Sequence, residues 1–345
     1  MTPPPPRPDW RPGDFSIDPA RDESPILHSF VVPSYNHVRY VGETIESLLA
    51  QKARISEIVV CDDGSDDGSR ELIARYAGRV RVVDPPRRMG MMGNYNFAVS
   101  QARGTWVSLM GSDDRALPGF STEIATAIAH HSEAVLVSGD FRHIDGEGRV
   151  IREERVLSVK PYAAPPENLH VQISAAKVHP AAHAFRKAAW AHVGGFDESL
   201  HLYGDWALWL RLAALGPFVH RPAFLADYRV EYRPEIGLRR LPQVLEDDVA
   251  IALRVIPEVA ARVPGADAAR IAAAQRARLR SRLAECSRML SPGERGGAVE
   301  TLRPWAESLG EDAMLADFAG GGSVSGGLRD TALWRFARDV YKRLR

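Results

Sequence analysis

The fold follows from one stretch of the sequence, EIVVCDDGSDDGS at residues 57–69. Its first half is a short apolar run, which is typical of a strand buried in a parallel sheet. Its second half is rich in Asp and Gly, residues that favour turns, and residues 69–76 have the pattern of a helix. The stretch therefore predicts a strand, a polar loop and a helix in succession, which is the repeating unit of an α/β fold.

The same unit recurs on both sides of this stretch. Further strands are predicted at residues 26–32, 80–83, 105–110 and 134–138, and further helices at residues 40–51, 92–102 and 118–131. This alternation predicts a doubly wound, mostly parallel sheet of the Rossmann-like kind. The pair Asp145-Gly146, between residues 141–144 and 149–151, predicts a hairpin and so an antiparallel addition to the sheet.

Composition divides the chain into three parts. Residues 1–25 are rich in proline and charge and lack the apolar segment of a signal peptide, so we expect a disordered arm. Residues 26–235 carry the α/β pattern. Strand-like runs then vanish, so residues 236–345 are predicted to be helical, ending in a basic amphipathic helix at residues 331–345. We expect that helix to pack on the protein's own core or on a second copy of the chain, or to lie on an anionic membrane.

Charge and cysteine content narrow the functional classes. The 345 residues carry no formal net charge, which argues against a nucleic-acid partner. The two cysteines, Cys61 and Cys286, are too few for a disulfide framework. No stretch approaches the roughly 20 apolar residues of a membrane span. We therefore expect a cytoplasmic protein, at most peripheral on the inner face of the membrane.

Three polar loops follow predicted strands: PSYN at residues 33–36, DDGSDDG at residues 62–68 and GSDD at residues 111–114. Ligands of open α/β sheets bind beyond the carboxyl ends of the strands, so we expect these loops to converge. Asp113 and Asp114 suit a divalent metal that also contacts substrate phosphates. Each loop alone is equally well explained by turn formation, but three at successive strand ends favour a binding site.

Together these loops resemble the family 2 glycosyltransferases, which have the GT-A fold. The likeness covers residues 26 to about 233 and is carried by residues 31–36, residues 57–69 and the Ala-Arg-Gly at 102–104 ahead of the Asp pair. It implies an inverting transfer of sugar from a nucleotide-diphosphate donor, a UDP- or dTDP-sugar by analogy, to an acceptor hydroxyl. The acceptor would be a saccharide or a lipid-linked molecule, in surface polysaccharide or glycolipid synthesis.

The resemblance also assigns roles to residues of the three loops. It implies that Pro33, Tyr35 and Asp63 contact the nucleoside. It implies that Asp113 and Asp114 hold the ribose and the metal-diphosphate, with Mg or Mn as the metal.

Two further features concern the donor pocket. GMMGNYN at residues 90–96 resembles the family's Gly-x-x-x-Asn stretch, which implies that Asn94 hydrogen-bonds the donor, with Arg88 nearby as a phosphate cation. The same residues also fit an ordinary helix N-terminus. Gly111 stands where most members of the family have the first carboxylate of Asp-x-Asp, and the adjacent Asp pair is left to hold the metal.

Inverting transfer needs a base for the proton of the acceptor hydroxyl. GGFDESL at residues 194–200, followed by GDWALWLR at residues 204–211, resembles the family's lead into the helix that carries this base. The resemblance implies that Asp205 is the base and that Gly204 replaces the usual preceding Glu. Asp197 and Glu198 are the alternative candidates.

The environment predicted for the base contains two opposing effects. A carboxylate in the first turn of a helix is stabilised in its charged form, which lowers its pKa. Apolar burial by Trp206 and Trp209 would offset this effect.

Two other classes of protein share parts of the pattern. A sugar-nucleotide nucleotidyltransferase has a related sheet, but it needs a Gly-rich loop with Arg and Lys where this chain has residues 33–36. A non-catalytic nucleotide-sugar-binding or scaffold protein would account for Gly111 and Gly204. Hydrolysis of the donor separates these classes, since only a transferase slowly hydrolyses its own donor.

Overall fold

The computed structural model describes residues 9–16, 27–51, 56–156, 160–174, 178–230 and 234–321. Its strands are β1 His28–Ser34, β2 Ser56–Asp62, β3 Arg81–Val83, β4 Trp106–Leu109, β5 Arg115–Ala116, β6 Leu136–Ile144, β7 Val150–Glu154, β8 Tyr162–Ala163, β9 His183–Arg186 and β10 Phe218–Arg229. Its α-helices are α1 Val41–Leu49, α2 Ser69–Ala74, α3 Gly90–Gln101, α4 Phe120–His130, α5 Glu167–Ser174, α6 Lys187–His192, α7 Gly204–Leu215, α8 Pro234–Ala250, α9 Ile256–Ala260, α10 Ala268–Met289, α11 Gly296–Leu309 and α12 Asp312–Ala319. The amphipathic helix predicted at residues 331–345 lies outside the described residues.

The strands form one sheet in the order β3-β2-β1-β4-β9-β6-β10-β5, with β7 beside β6 and β8 beside β10. Parallel pairing joins β3, β2, β1 and β4, and also joins β6 to β10; these pairs contain most of the paired residues. Strand β9 is antiparallel to both of its neighbours. The prediction of a mostly parallel α/β sheet is confirmed. The predicted hairpin is also confirmed, because β6 and β7 pair antiparallel across the turn at Asp145.

The sheet has an apolar core on each face, because successive side chains of a strand point in opposite directions. Val31 and Val59 belong to one cluster, which includes residues of α3 and α7. Val32 and Val60, their neighbours in the chain, belong to a second cluster with residues of α1 and α4. Most residues of α7 are buried, so the start of this helix is held firmly in the molecule.

Strand register brings the polar loops to one edge of the sheet. Ser34, the last residue of β1, pairs with Asp62, the last residue of β2. On the other side of β1, Val31 pairs with Leu109 at the end of β4. The loops after β1 and β2 therefore begin at the same level, and the loop after β4 begins beside them, three residues earlier along β1.

The helices after β10 form a third apolar cluster, with Leu245, Leu283 and Trp305 among its buried members. This region is not separate from the sheet domain. Ile251 and Val255, in a π-helical segment at Ile251–Val255, are buried in the cluster that contains α7. Among the helices that the structure describes, none combines the length and the apolar character that crossing a bilayer requires.

Residues 9–16 correct the prediction of a disordered arm over residues 1–25. Trp10 is only 2% exposed, and its indole Nε1 donates a hydrogen bond to Glu258 at 2.9 Å. The Arg262 guanidinium lies 4.8 Å from the centre of the same ring. A buried tryptophan with a partner for its N–H holds a segment on the surface despite the surrounding prolines.

Candidate active site

The three predicted loops are joined to one another by hydrogen bonds. The amide of Asp63 donates to the carbonyl of Ser34 at 2.8 Å, which joins the second loop to the first. His37 Nδ1 lies 2.7 Å from Ser112 Oγ, which joins the first loop to the third. The expectation that the loops come together is confirmed. His37 was not singled out from the sequence, since a histidine just outside a motif carries no signal of its own.

The two aspartates after β2 organise the backbone around them. Asp62 Oδ1 accepts the amide of Ser65 at 2.7 Å, which folds the loop back on itself. Asp63 is 3% exposed, and its Oδ1 and Oδ2 accept the amides of Met89 at 2.7 Å and Gly90 at 2.9 Å. Asp63 therefore fixes the start of α3, and a nucleoside would have to use the remaining lone pairs of its carboxylate.

The other predicted donor contacts lie at different depths. Tyr35 and Arg88 are exposed side by side, with the guanidinium carbon 4.1 Å from the ring centre. Pro33 is buried in β1, opposite Cys61 in β2. Asn94 is 3% exposed, and its Oδ1 accepts a hydrogen bond from the thiol of Cys61 at 3.0 Å. As donor contacts these residues stay predictions, and Asn94 has a structural partner in the core.

The aspartate pair after β4 converges on Gly111. A Cβ atom placed on this glycine would lie 2.6 Å from Asp114 Oδ2 and 3.0 Å from Asp113 Oδ1. Burial, followed by the charge of Asp113, raises the pKa of Asp114 well above its ordinary value. The position that holds a carboxylate in most of the resembled family is thus filled here by the oxygens of the other two. A side chain at residue 111 would have to displace them.

Arg229, at the end of β10, holds this pair in place. Its amide donates to Asp114 Oδ1 at 2.9 Å and its Nε donates to the carbonyl of Asp113 at 2.7 Å. Its Nη2 donates to Glu43 Oε2 at 2.6 Å, and the side chain is only 2% exposed. Its guanidinium is occupied by acceptors of the protein, so it serves the Asp pair and not a phosphate.

The aspartate pair fits a divalent cation. Two carboxylates with oxygens within 3.0 Å of one point repel each other, and a cation between them relieves that repulsion. In the part of the chain that the structure describes, no three His, Cys, Asp or Glu residues group as a metal site. Mg²⁺ needs no such group, because it is commonly held by one or two carboxylates together with waters and substrate phosphates.

Asp205 is the second residue of α7 and is half-buried. Its Oδ1 accepts the amide of Trp206 at 2.7 Å. Burial nevertheless raises the pKa of Asp205 to about 6. Of the two opposing effects expected from the sequence, apolar burial therefore outweighs the helix N-terminus. Asp205 borders a small, mainly apolar pocket of about 100 Å³ that Met92 and Trp209 also line.

Two tyrosines connect Asp205 to the aspartate pair. Burial, and then the charges of Asp205, Asp113 and Asp114, raise the pKa of Tyr95 on α3. Burial and the same three charges also raise the pKa of Tyr228 on β10. Tyr95 also lines the Asp205 pocket together with Leu109, the last residue of β4, so the candidate base lies near the loop that carries the candidate metal site.

The alternative bases are engaged elsewhere. Asp197 is 3% exposed and its Oδ2 accepts from Arg211 at 3.3 Å and from Arg254 at 3.0 Å. Glu198 accepts the side-chain amide of Asn96 at 2.9 Å. A carboxylate paired with two guanidinium groups is a poor proton acceptor. Asp205 is the candidate with the environment of a base.

The packing around residue 204 also explains why this position is a glycine. A Cβ atom on this residue would lie 2.2 Å from the sulfur of Met92, which is buried in the same pocket. A glutamate at this position would displace the methionine.

A sequence model described as Glycosyl transferase family 2 matches residues 29–192. The match extends from β1 through α6 and includes all three polar loops. Residues 29–192 belong to the family 2 glycosyltransferases. Asp205 and the helices after β10 lie beyond the matched segment.

One relative of the chain is the chondroitin synthase of Escherichia coli, which is 31% identical over 197 residues. The alignment covers 56% of this chain and 27% of the synthase, so the chain spans about a quarter of that relative's length.

Solved structures show the same fold. Residues 1–349 of TarS from S. aureus, in complex with UDP, align with a TM-score of 0.59 at 18% identity over 86% of this chain and 88% of that one. The mannosyltransferase PcManGT from Pyrobaculum calidifontis, in complex with GDP-Man and Mn²⁺, aligns with a TM-score of 0.50 at 19% identity over 90% of this chain and 89% of that one. At these identities the likeness concerns the fold, which is GT-A.

Proposed function

We propose that this chain is an inverting glycosyltransferase that moves a sugar from a nucleotide-diphosphate donor to an acceptor hydroxyl. One observation carries the proposal. Asp205 and Tyr95 line one pocket with Leu109, at the end of the strand that leads to Asp113 and Asp114, and the charges of all three aspartates act on Tyr95 and Tyr228. This arrangement provides a site for a metal-diphosphate and, beside it, a base.

Asp113 and Asp114 would hold a divalent metal, Mg or Mn, which when bound neutralises the departing diphosphate. The solved neighbours support such a donor and such a metal, since one contains UDP and the other contains GDP-Man with Mn²⁺. Arg229 keeps the two aspartates in position through its amide and its Nε.

Asp205 acts as the base. The acceptor oxygen attacks the anomeric carbon, the bond from that carbon to the diphosphate oxygen breaks, and the hydroxyl proton passes to the Asp205 carboxylate. A pKa of about 6 makes Asp205 a stronger base than an ordinary carboxylate, while it stays ionised at neutral pH. We assign the proton to Oδ2, because Oδ1 accepts the amide of Trp206.

The remaining residues bind the nucleoside and phosphates. We assign base stacking to the exposed ring of Tyr35, ribose or base hydrogen bonds to Asp63, and a phosphate contact to Arg88. The chondroitin synthase relative supports a role in polysaccharide synthesis. We propose a saccharide or a lipid-linked molecule as the acceptor and a UDP- or dTDP-sugar as the donor. We also propose that the enzyme acts in the cytoplasm.

The test is donor turnover by the full chain with a panel of UDP-, dTDP- and GDP-sugars, with and without Mg or Mn. We expect slow hydrolysis of one of these donors. This hydrolysis should require the metal and should be lost in Asp114→Asn. Asp205→Asn should lower the rate of transfer to an acceptor by about 10²- to 10⁴-fold. Asp66→Asn, an exposed aspartate of the second loop, is the matched control and should retain full activity.

Two results would reject the proposal. Pyrophosphate release from a nucleoside triphosphate would identify a nucleotidyltransferase. Nucleotide-sugar binding without any turnover, in a protein shown to be folded by its thermal melt, would identify a binding or scaffold protein.

A further inference from the structure

The start of α7, which carries Asp205, is held by a carboxylate from outside the matched family segment. Asp247 on α8 is 1% exposed. Its Oδ2 accepts the backbone amides of His201 at 3.1 Å, Leu202 at 2.6 Å and Tyr203 at 2.9 Å, and its Oδ1 accepts the amide of His201 at 2.9 Å. One buried side chain thus collects three consecutive N–H groups directly ahead of the helix.

These bonds hold the turn that leads into α7. Tyr203, at the N-cap position, makes no side-chain capping hydrogen bond. A carboxylate is the strongest acceptor for such amides, since the bonds are charge-assisted. Asp247 therefore fixes from α8 the three residues directly before α7, and only Gly204 separates the held amides from Asp205.

A second residue of the same region holds the preceding turn. Arg254, in the π-helical segment, donates from Nη1 to Asp197 Oδ2 at 3.0 Å and from Nη2 to Ser199 Oγ at 2.9 Å. The chain from Asp197 to Tyr203 is thus held at two points by residues of α8 and the segment after it.

We propose that Asp247 is a positioning residue for the base: it fixes the backbone of residues 201–203 and thereby the place of the Asp205 carboxylate in the site. This inference rests on the proposed function. It makes α8 part of the transferase site, although this helix lies outside residues 29–192.

Asp247 also acts on Asp205 through its negative charge, in addition to holding the backbone ahead of α7. The titratable groups around Asp205 are Tyr95 of α3 and His183 of β9, which line the same pocket, and Tyr228 of β10 and Asp247 of α8, which interact with it electrostatically. Burial is the main cause of the raised pKa of Asp205, and the negative charge of Asp247 adds to it. Loss of that charge therefore lowers the pKa of Asp205, whereas loss of the hydrogen bonds alone does not.

Three variants of the full chain separate position from charge. Asp247→Asn removes the charge and leaves one oxygen for three amides. Asp247→Glu keeps the charge but moves it by one methylene group. Asp140→Asn is the matched control, because Asp140 is a 2% exposed aspartate on β6 that accepts one backbone amide, that of Val156.

The first measurement is hydrogen exchange of the amides of residues 201–203, which needs no turnover. We expect exchange on the order of tenfold faster in Asp247→Asn and unchanged in Asp140→Asn. Unchanged exchange in Asp247→Asn would overturn the inference. This readout decides the inference even if the wild-type chain transfers no sugar, an outcome that would reject only the proposed function.

The second measurement is the pH profile of kcat/KM. We expect kcat to fall in both Asp247 variants with donor KM within about twofold of wild type, because the donor site is untouched. The acid limb should move to lower pH in Asp247→Asn and stay in place in Asp247→Glu. An equal fall in kcat in Asp140→Asn would reduce the role of Asp247 to general stability and contradict the proposal.

Discussion

The carboxylates after β2 and those that surround Tyr95 are buried in different ways. Asp63 has an amide on each of its oxygens, from Met89 and from Gly90, and it ties its loop to α3. Asp114 and Asp205 also accept amides, but for both of them burial outweighs these bonds and the pKa is raised. The first region uses charge to hold the backbone. The second keeps charges in an environment that disfavours them.

This difference separates carboxylates that stabilise the fold from carboxylates that are candidates for a role in the reaction. A carboxylate whose oxygens accept backbone amides stabilises the folded state through those hydrogen bonds. A carboxylate with a raised pKa costs stability when ionised, and a cation or a proton relieves that cost, so such groups mark candidate functional sites. Substitutions in the two regions should therefore change stability in opposite directions.

The largest effect is expected for Asp63→Ala. This change removes the acceptor of the Met89 and Gly90 amides, and a hydrogen bond to a charged group contributes about 1.5 to 3 kcal/mol. We expect the free energy of unfolding to fall by about 2 to 5 kcal/mol in chemical denaturation. Asp66→Ala, at an exposed aspartate of the same loop, should change it by less than about 0.5 kcal/mol. Equal effects of the two variants would show that the Asp63 bonds do not hold the start of α3.

A smaller effect of opposite sign is expected for Asp205→Asn. The pKa of Asp205 is about 6 in the folded state against an ordinary 3.8, so ionisation above that range disfavours folding. The asparagine carries no charge and keeps an oxygen for the amide of Trp206. We expect the variant to be more stable than wild type by about 1 to 3 kcal/mol near pH 8.

The pH dependence gives the control for this second variant. Below about pH 4 the carboxyl group is protonated in both the folded and the unfolded state, so the difference in stability should vanish there. As the pH rises from about 4 to about 6, wild type should lose stability relative to Asp205→Asn. A constant difference across this range would mean that shape, and not the charge of Asp205, separates the two proteins.

The sheet and its loops could be predicted from the sequence because their signals are local. The strand predicted at residues 57–61 is β2, Ser56–Asp62, and the helix predicted at residues 92–102 is α3, Gly90–Gln101. Apolar runs closed by Asp and Gly define such elements without reference to the rest of the chain. The meeting of the loops then follows from parallel pairing, which sets their strands level.

The partners of individual side chains could not be predicted, because they come from distant parts of the chain. Asp63 meets amides 26 and 27 residues further on, and Asp247 meets amides 44 to 46 residues back. In the sequence Asp247 is an ordinary acidic residue of a helix. Gly111 and Gly204 appeared as missing acids, and only the packing of Asp114 and Met92 around them gives the reason.

The smallest effect on stability is expected for Arg88→Ala. Arg88 is exposed and lies over the ring of Tyr35, a contact that contributes about 0.5 to 1 kcal/mol at an exposed site. Its proposed role as a phosphate cation should appear in binding instead. We expect the Kd for UDP with Mg, measured by titration calorimetry, to rise about tenfold, the loss of one charge-assisted contact. This weakening should shrink at high salt, because salt screens exposed charges.

Arg87→Ala provides the matched control, since Arg87 is also exposed and is the adjacent residue in the chain. If Arg88 contacts the nucleotide directly, Arg87→Ala should leave the Kd for UDP unchanged, although it removes the same positive charge. Equal weakening by both variants would assign the effect to net charge. Tighter binding in Arg88→Ala would mean that the guanidinium competes with the nucleotide base for the face of Tyr35, because a base can stack on that face only when Arg88 leaves it.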